Sequence, residues 1–161
     1  MAERNRKFYE RVTDALSLFV RQHAWLNAPV ERAKHDKSDK PRQSRLEKAR
    51  AQRKNPDYAP DMPPVDVPYL LEVFFEIGPT MAAGMGAGPI THEEIRAWQA
   101  NTGVELQPWQ IRALRRMSFD YLGEAHEAEK ADRRAPWEPV EVDYSAVANN
   151  MMNAIRRMAG S

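Results

Sequence analysis

The sequence predicts an all-α protein: a small helical body, a flexible basic and proline-rich linker, and peripheral amphipathic helices at both ends. Three observations carry that reading. Apolar residues recur at steps of three and four in several stretches, the period of one helix face. Start and stop signals bracket the central stretches. Residues 28–64 hold almost no large apolar side chains and so cannot build a core of their own.

The first helix is expected from Arg4 to about Leu26, where Phe8, Val12, Leu16, Phe19, Val20, His23 and Leu26 share one stripe and Arg4, Lys7, Arg11, Asp14 and Gln22 the opposite face. Pro29 marks its end. A tract follows in which Pro56, Pro60, Pro63 and Pro64 stiffen the second half, and Arg42 to Lys54 has a helix-forming composition but little to bury. Unaided, it is expected to be disordered.

The body begins with Asp66 as cap of a helix starting near Val67 and Pro68, whose buried stripe is Tyr69, Leu70, Val73, Phe74 and Ile77. Gly78 and Pro79 stop it, and Gly84, Gly86 and Gly88 make the stretch to Pro89 a flexible loop. Thr91 and Glu94 then form a capping box, with Ile90 and Ile95 placed as a hydrophobic staple. That helix runs through Trp98 to about Asn101, and Gly103 supplies its left-handed stop. Pro108 opens a further helix with Trp109, Ile111, Leu114, Met117, Ser118, Tyr121 and Leu122 on a wide apolar face, interrupted at Gly123. From Glu124 to Arg134 the composition is polar, and a solvated, fraying extension is expected. After a hinge at Pro136 to Pro139, Asp143 or Ser145 caps a last amphipathic helix with Val147, Met151, Ile155 and Met158 on one stripe, ending at Gly160. The resulting division is 1–27 amphipathic helix, 28–64 linker, 65–134 body and 135–161 linker plus terminal helix. The expected core is Tyr69, Leu70, Val73, Phe74, Ile77, Ile95, Trp98, Leu106, Trp109, Leu114, Met117, Tyr121 and Leu122.

Composition narrows the function. A chain of 161 residues suits one modest core, and 42% hydrophobic with 29% charged residues fits a globular segment diluted by a polar one. The absence of cysteine excludes disulfides, thiol nucleophiles and iron–sulfur clusters, and with them the common structural zinc sites. No stretch approaches the roughly 20 apolar residues that span a bilayer, and no apolar signal core follows the charged start, so a cytoplasmic protein is expected. Between Pro29 and Pro56 ten Lys/Arg face four acids, leaving a net −5 for the rest of a chain whose total is +1. A basic arm on an acidic body suits an acidic partner and gives the body little attraction for nucleic acid.

Catalytic, cofactor and metal sites are not expected. Gly84 to Gly88 lacks the preceding strand and the following Gly-Lys-Ser/Thr of a phosphate loop. His92-Glu93 begins like a zinc-protease motif, but Arg96 stands where the second histidine belongs. His23, His35 and His126 read as scattered surface residues, and no carboxylate pair sits in a recognisable apolar cleft. The main rival to a protein-binding role is a helix-turn-helix made from Thr91 to Asn101 and the helix from Pro108 with Arg112, Arg115 and Arg116; its connection, Thr102 to Gln107, is longer than the usual turn. Candidate partner-binding residues are Phe19 and Val20 on the first stripe and Met151, Ile155 and Met158 on the last.

Pro89-Ile90-Thr91, Glu94-Ile95, Ala97-Trp98, Thr102-Gly103, Leu106, Pro108-Trp109 and Leu114 to Leu122 together resemble a segment of the phage tail assembly chaperones of long-tailed, non-contractile phages and related prophages. The likeness spans about Pro68 to Leu122, with Gln110 where a glutamate is usual and Asn101 where an apolar residue is common. It implies a non-structural protein of the host cytoplasm that coats the tape measure protein, keeps it soluble, recruits tail-tube protein to it, and leaves before the virion is complete. It also implies the tube-recruiting part that is often made as a frameshift extension, so an upstream chaperone product or a second copy joins the expected partners. Thr91, Glu94, Ile95, Trp98, Gly103, Pro108 and Trp109 are the structural residues of the motif; a membrane and sequence-specific nucleic acid are not expected partners.

Overall fold

The computed structural model describes residues 2–33, 35–84, 86–140, 151, 152 and 157. Its elements, in chain order, are α1 (Ala2–Asn27), α2 (Arg45–Arg53), α3 (Tyr69–Ile77), β1 (Met81–Ala83), β2 (Gly86–Gly88), α4 (His92–Thr102) and α5 (Pro108–Glu127). The fold is predominantly helical but not strictly all-α, because the glycine-rich stretch expected to be a loop is a small antiparallel hairpin. Met81 pairs with Gly88, Ala82 with Ala87 and Ala83 with Gly86. Gly84 supplies the positive φ of 58° that the tight connection needs. At Gly88 a side chain would meet the Ala83 Cβ at 2.8 Å. Both feet of the hairpin are tied to α5 through fully buried Ser118, whose hydroxyl accepts from Ile90 N–H at 2.9 Å and donates to Pro79 C=O at 2.7 Å.

The centre of the molecule is α1 packed along α5. Tyr9 stacks on Trp109, Asp14 pairs with Arg116, Arg21 pairs with Glu124, and the Trp25 indole donates to the Arg133 carbonyl. Partner numbers rise together, so the two helices run parallel. Val12, Leu16 and Val20, four residues apart on α1, are buried with Ala113, Leu114 and Met117 of α5, Leu70, Leu71, Val73 and Phe74 of α3, and Ile90, Ile95 and Leu106. This corrects the division that left the N-terminal helix outside the body. Helical periodicity requires a cover for an apolar stripe without saying which element supplies it. Here the main cover, α5, lies far along the chain: Arg21 and its partner Glu124 are 103 positions apart.

Parallel packing puts the negative ends of two helix dipoles side by side. Arg45, from the tract expected to be disordered, lies there: its guanidinium donates to the carbonyls of Trp25 at 3.3 Å, Ala128 at 2.6 Å and Lys130 at 2.8 Å, and sits 4.5 Å from the centre of the Trp25 ring. The rest of the tract is also organised. Ser44 and Glu47 make a capping box at the start of α2, and Lys54 closes it in a left-handed conformation. Pro29 bridges to Ser44, Glu31 N–H donates to Glu129 C=O at 2.7 Å, and Arg42 pairs with Glu129 at 3.0 Å. Charged groups and backbone carbonyls hold this segment together with the little apolar burial that Ala28 and Val30 supply, which is why composition alone reads it as unstructured.

Other boundaries differ in instructive ways. Asp66 is not the cap of α3, whose N-terminal boundary is Pro68 with no side-chain cap. Of its expected stripe, Leu70, Val73 and Phe74 are buried and Ile77 packs against the core, but Tyr69 is exposed and bonded to the Gln110 amide. The Thr91–Glu94 box and the left-handed Gly103 (φ 72°) bound α4 as the sequence indicates. Helix α5 begins with Pro108 at its first turn and runs through Gly123, and what was expected to be a solvated extension carries buried Glu124 and fully buried Ala128. His23 is half-buried between the rings of Phe75 and Tyr121, not a surface residue. For the last helix, Asp143, Ser145, Val147, Ile155, Met158 and Gly160 lie outside the described residues.

Candidate functional site

Two clefts mark opposite ends of the α1–α5 pair. The first, of about 560 Å³, is lined by Arg6, Tyr9, Glu10 and Thr13 of α1 and by Trp109, Arg112, Ala113 and Arg116 of α5. Arg6, Tyr9 and Thr13 recur on one flank of α1, beside the stripe that packs into the core. Trp109, Arg112 and Arg116 answer them on the first two turns of α5. The Tyr9 and Trp109 rings lie nearly parallel with centres 4.7 Å apart, and Phe8, exposed on α1, meets Tyr9 edge-on at 5.5 Å. Arg116 pairs with Asp14 at 2.8 Å and Asp120 at 3.6 Å, and Arg6 with Glu10 at 3.4 Å. Arg112 is exposed and has no ion pair among the described residues.

The second cleft is lined chiefly by small and apolar residues: Ala24, Ala28 and Pro29 after and along α1, Gly86 and Ala87 of the hairpin, and Phe119, Leu122, Gly123 and Ala125 of α5. Phe119 is 54% exposed, so a large aromatic face is open to a partner. Beneath this end, Glu124 accepts from Arg133 Nε and Nη2, both at 2.8 Å, and from Arg21 Nε and Nη2 at 3.2 and 3.1 Å, with its side chain only 2% exposed. Burial alone would raise its carboxyl, but the hydrogen bonds and charges of Arg133 and Arg21 outweigh this and hold it below the ordinary carboxylate value. The network locks the C-terminal halves of α1 and α5 together.

The sequence-derived candidates divide. Thr91, Glu94, Ile95, Gly103 and Pro108 shape α4 and α5, and Trp98 and Trp109 are partly buried against the core. Val20 is fully buried and Phe19 packs against the core, so the partner-facing stripe proposed for them is covered by the chain's own body. Met151 and Met152 are helical and exposed. Sequence reasoning missed Tyr9, Phe119 and Glu124 and placed Arg112 only in the rival helix-turn-helix; the recurrence of Arg6, Tyr9 and Thr13 was the available signal for the first. Nothing in the arrangement favours the helix-turn-helix reading: α5 is the central packing helix, Arg116 is ion-paired, and Arg115 lies 3.0 Å from His92. Among the described residues no three His, Asp or Glu side chains could jointly hold a metal ion, and no helix is long and apolar enough to cross a membrane.

A family model described as phage tail assembly chaperone matches residues 43–123, half of the chain, from just before α2 to the last turns of α5. The chain belongs to the phage tail assembly chaperones. Membership implies a non-enzymatic role and interaction with tail proteins. The matched segment contains Arg45, α3, the hairpin, α4 and most of α5, whereas α1 lies ahead of it and still supplies Val12, Leu16 and Val20 to the core. This tail assembly chaperone thus completes its family segment with a helix that the family model does not cover. No curated protein and no solved structure matches the chain.

Proposed function

We propose that this chaperone binds the tape measure protein in the host cytoplasm, recruits tail-tube protein to it during tail morphogenesis, and is absent from the finished virion. The observation that carries the reading is the pair of separate clefts on one cross-braced helical body of a tail assembly chaperone. A protein that joins a long helical partner to a second subunit needs two docking faces that do not compete. The basic, aromatic cleft and the apolar Phe119 cleft lie at opposite ends of α1 and α5, which supports that requirement. Exposed Met151 and Met152 add an adaptable apolar contact, and Ile155 and Met158 follow them in the sequence. An upstream chaperone product or a second copy fits the same role as a further partner, and a frameshift fusion is a route to the former.

Deleting the gene from an inducible prophage tests the reading. Filled heads without tails, restored by supplying the protein in trans, are expected, with its peptides missing from purified virions by mass spectrometry. Full-length tails in the deletion strain would refute the assembly role, and stoichiometric protein in the virion would refute its departure.

A further inference from the structure

We infer that the Tyr9–Trp109 cleft is the seat of an acidic amphipathic helix, one apolar side chain lying on the stacked rings and a carboxylate meeting Arg112. The inference rests on the chaperone reading and names the chemistry of one of its partners.

Shape argues first for a helix. The lining residues Arg6, Tyr9 and Thr13 on α1, and Trp109, Arg112 and Arg116 on α5, each span eight residues, two turns of helix or about 10 Å. Two parallel helices leave between them a trough whose ridges accept a third helix bearing side chains at i, i+3 or i+4, and i+7. Its lining includes buried Ala113 and half-buried Thr13, whose hydroxyl is already bonded to the Tyr9 carbonyl at 2.8 Å. Small groups there admit close approach, and the aromatic pair gives an apolar residue a flat surface to cover.

Charge decides the sign of the partner. Three arginines and one glutamate line the cleft, on a body whose charge outside the basic arm is negative. Arg6 and Arg116 have carboxylates of their own, but Arg112 has none among the described residues. The cleft also holds the positive end of the α5 dipole. That helix has no acidic residue in its first turn, and its capping box is made by two neutral side chains, Gln107 and Gln110. An acidic helix would satisfy both the unpaired guanidinium and the uncompensated helix end. A basic or neutral one would leave them as they are.

The test uses the full chain and a synthetic amphipathic peptide of about twenty residues, with glutamates on one face and a leucine and phenylalanine stripe on the other. A second peptide has lysine at every glutamate. Amide chemical shifts in the labelled protein locate the peptide, and calorimetry measures its affinity. The acidic peptide is expected to bind and the lysine peptide not. Shifts should cluster on residues 6–13 and 109–116, and Arg112→Glu should weaken binding roughly tenfold at low salt and less at high salt. Arg112 is exposed, so the variant should melt like the parent; Lys48→Glu, on exposed α2 surface, should bind like the parent. Equal binding of both peptides, or equal loss in the two variants, would overturn the proposal, the latter moving the contact to the basic arm. So would an Arg112→Glu change in self-association with peptide binding untouched, which makes the cleft a contact between copies. If the acidic peptide fails to bind while the chain still holds the tape measure protein in solution, the cleft assignment falls and the chaperone reading stands. If the peptide binds at the cleft but the tape measure protein is not held, the chaperone reading falls instead.

Discussion

Replacing Glu124 with glutamine should destabilise the whole molecule, because this carboxylate is the only acid among the described residues that joins α1 to the segment after α5. Four guanidinium N–H groups reach its two oxygens at 2.8 to 3.2 Å. Removing one member of a fully buried pair costs about 3–5 kcal/mol. Here the carboxylate is 2% exposed but Arg21 and Arg133 are 38% and 34% exposed, so part of their hydration returns and about 2–3 kcal/mol is expected. For a chain of this size that is a fall of about 5–10 °C in the unfolding midpoint. The assay is thermal unfolding by far-ultraviolet circular dichroism across pH. Since the folded carboxyl lies below its ordinary value of 4.5, its contribution is complete above that value and fades as pH falls through the folded one. The gap between parent and Glu124→Gln should therefore be full at neutral pH and close in acid. Equal midpoints at neutral pH, or a gap that persists unchanged in strong acid, would refute the reasoning.

Leu16→Ala should cost about 2–5 kcal/mol by leaving a cavity between α1 and α5, read as a lower denaturant midpoint; a parent-like midpoint would show α1 to be detachable. Ser118→Ala leaves the Ile90 N–H and the Pro79 carbonyl without their buried partner and should cost about 1–3 kcal/mol, with faster amide exchange at Ile90 as the local readout. His23 lies against Phe75 and Tyr121, and burial lowers its pKa from the ordinary 6.5. The folded state then binds the proton less well than the unfolded one, so stability present above 6.5 should decline as pH falls below it, and His23→Phe should remove that part of the slope.

What the sequence made legible was local. The Thr91–Glu94 box, left-handed Gly103 and Pro108 at the first turn of α5 depend on neighbours within a few residues, and each is where the spacing indicates. Much of the core was legible for the same reason: Leu70, Val73, Phe74, Ile95, Leu114 and Met117 sit on faces whose period is visible. The errors concern partners far apart in the chain. Val12, Leu16 and Val20 announce a buried face but not α5 as its cover. Arg45 and Glu124 look like solvent residues until two helix ends, or two guanidiniums, are brought around them. Likewise the candidate cleft requires Tyr9 and Trp109 to be neighbours, a fact carried by the packing of α1 and not by either local sequence. The hairpin was missed because glycines signal a turn without showing that Ser118 anchors both ends.

The proposal that this tail assembly chaperone binds the tape measure protein is tested most directly by co-expressing the two and measuring the soluble fraction and its mass by size-exclusion chromatography with light scattering. The expected result is a tape measure protein that is soluble with the chaperone, insoluble alone, and eluted in one complex with it. A tape measure protein equally soluble in both cases, or insoluble in both, would contradict that account.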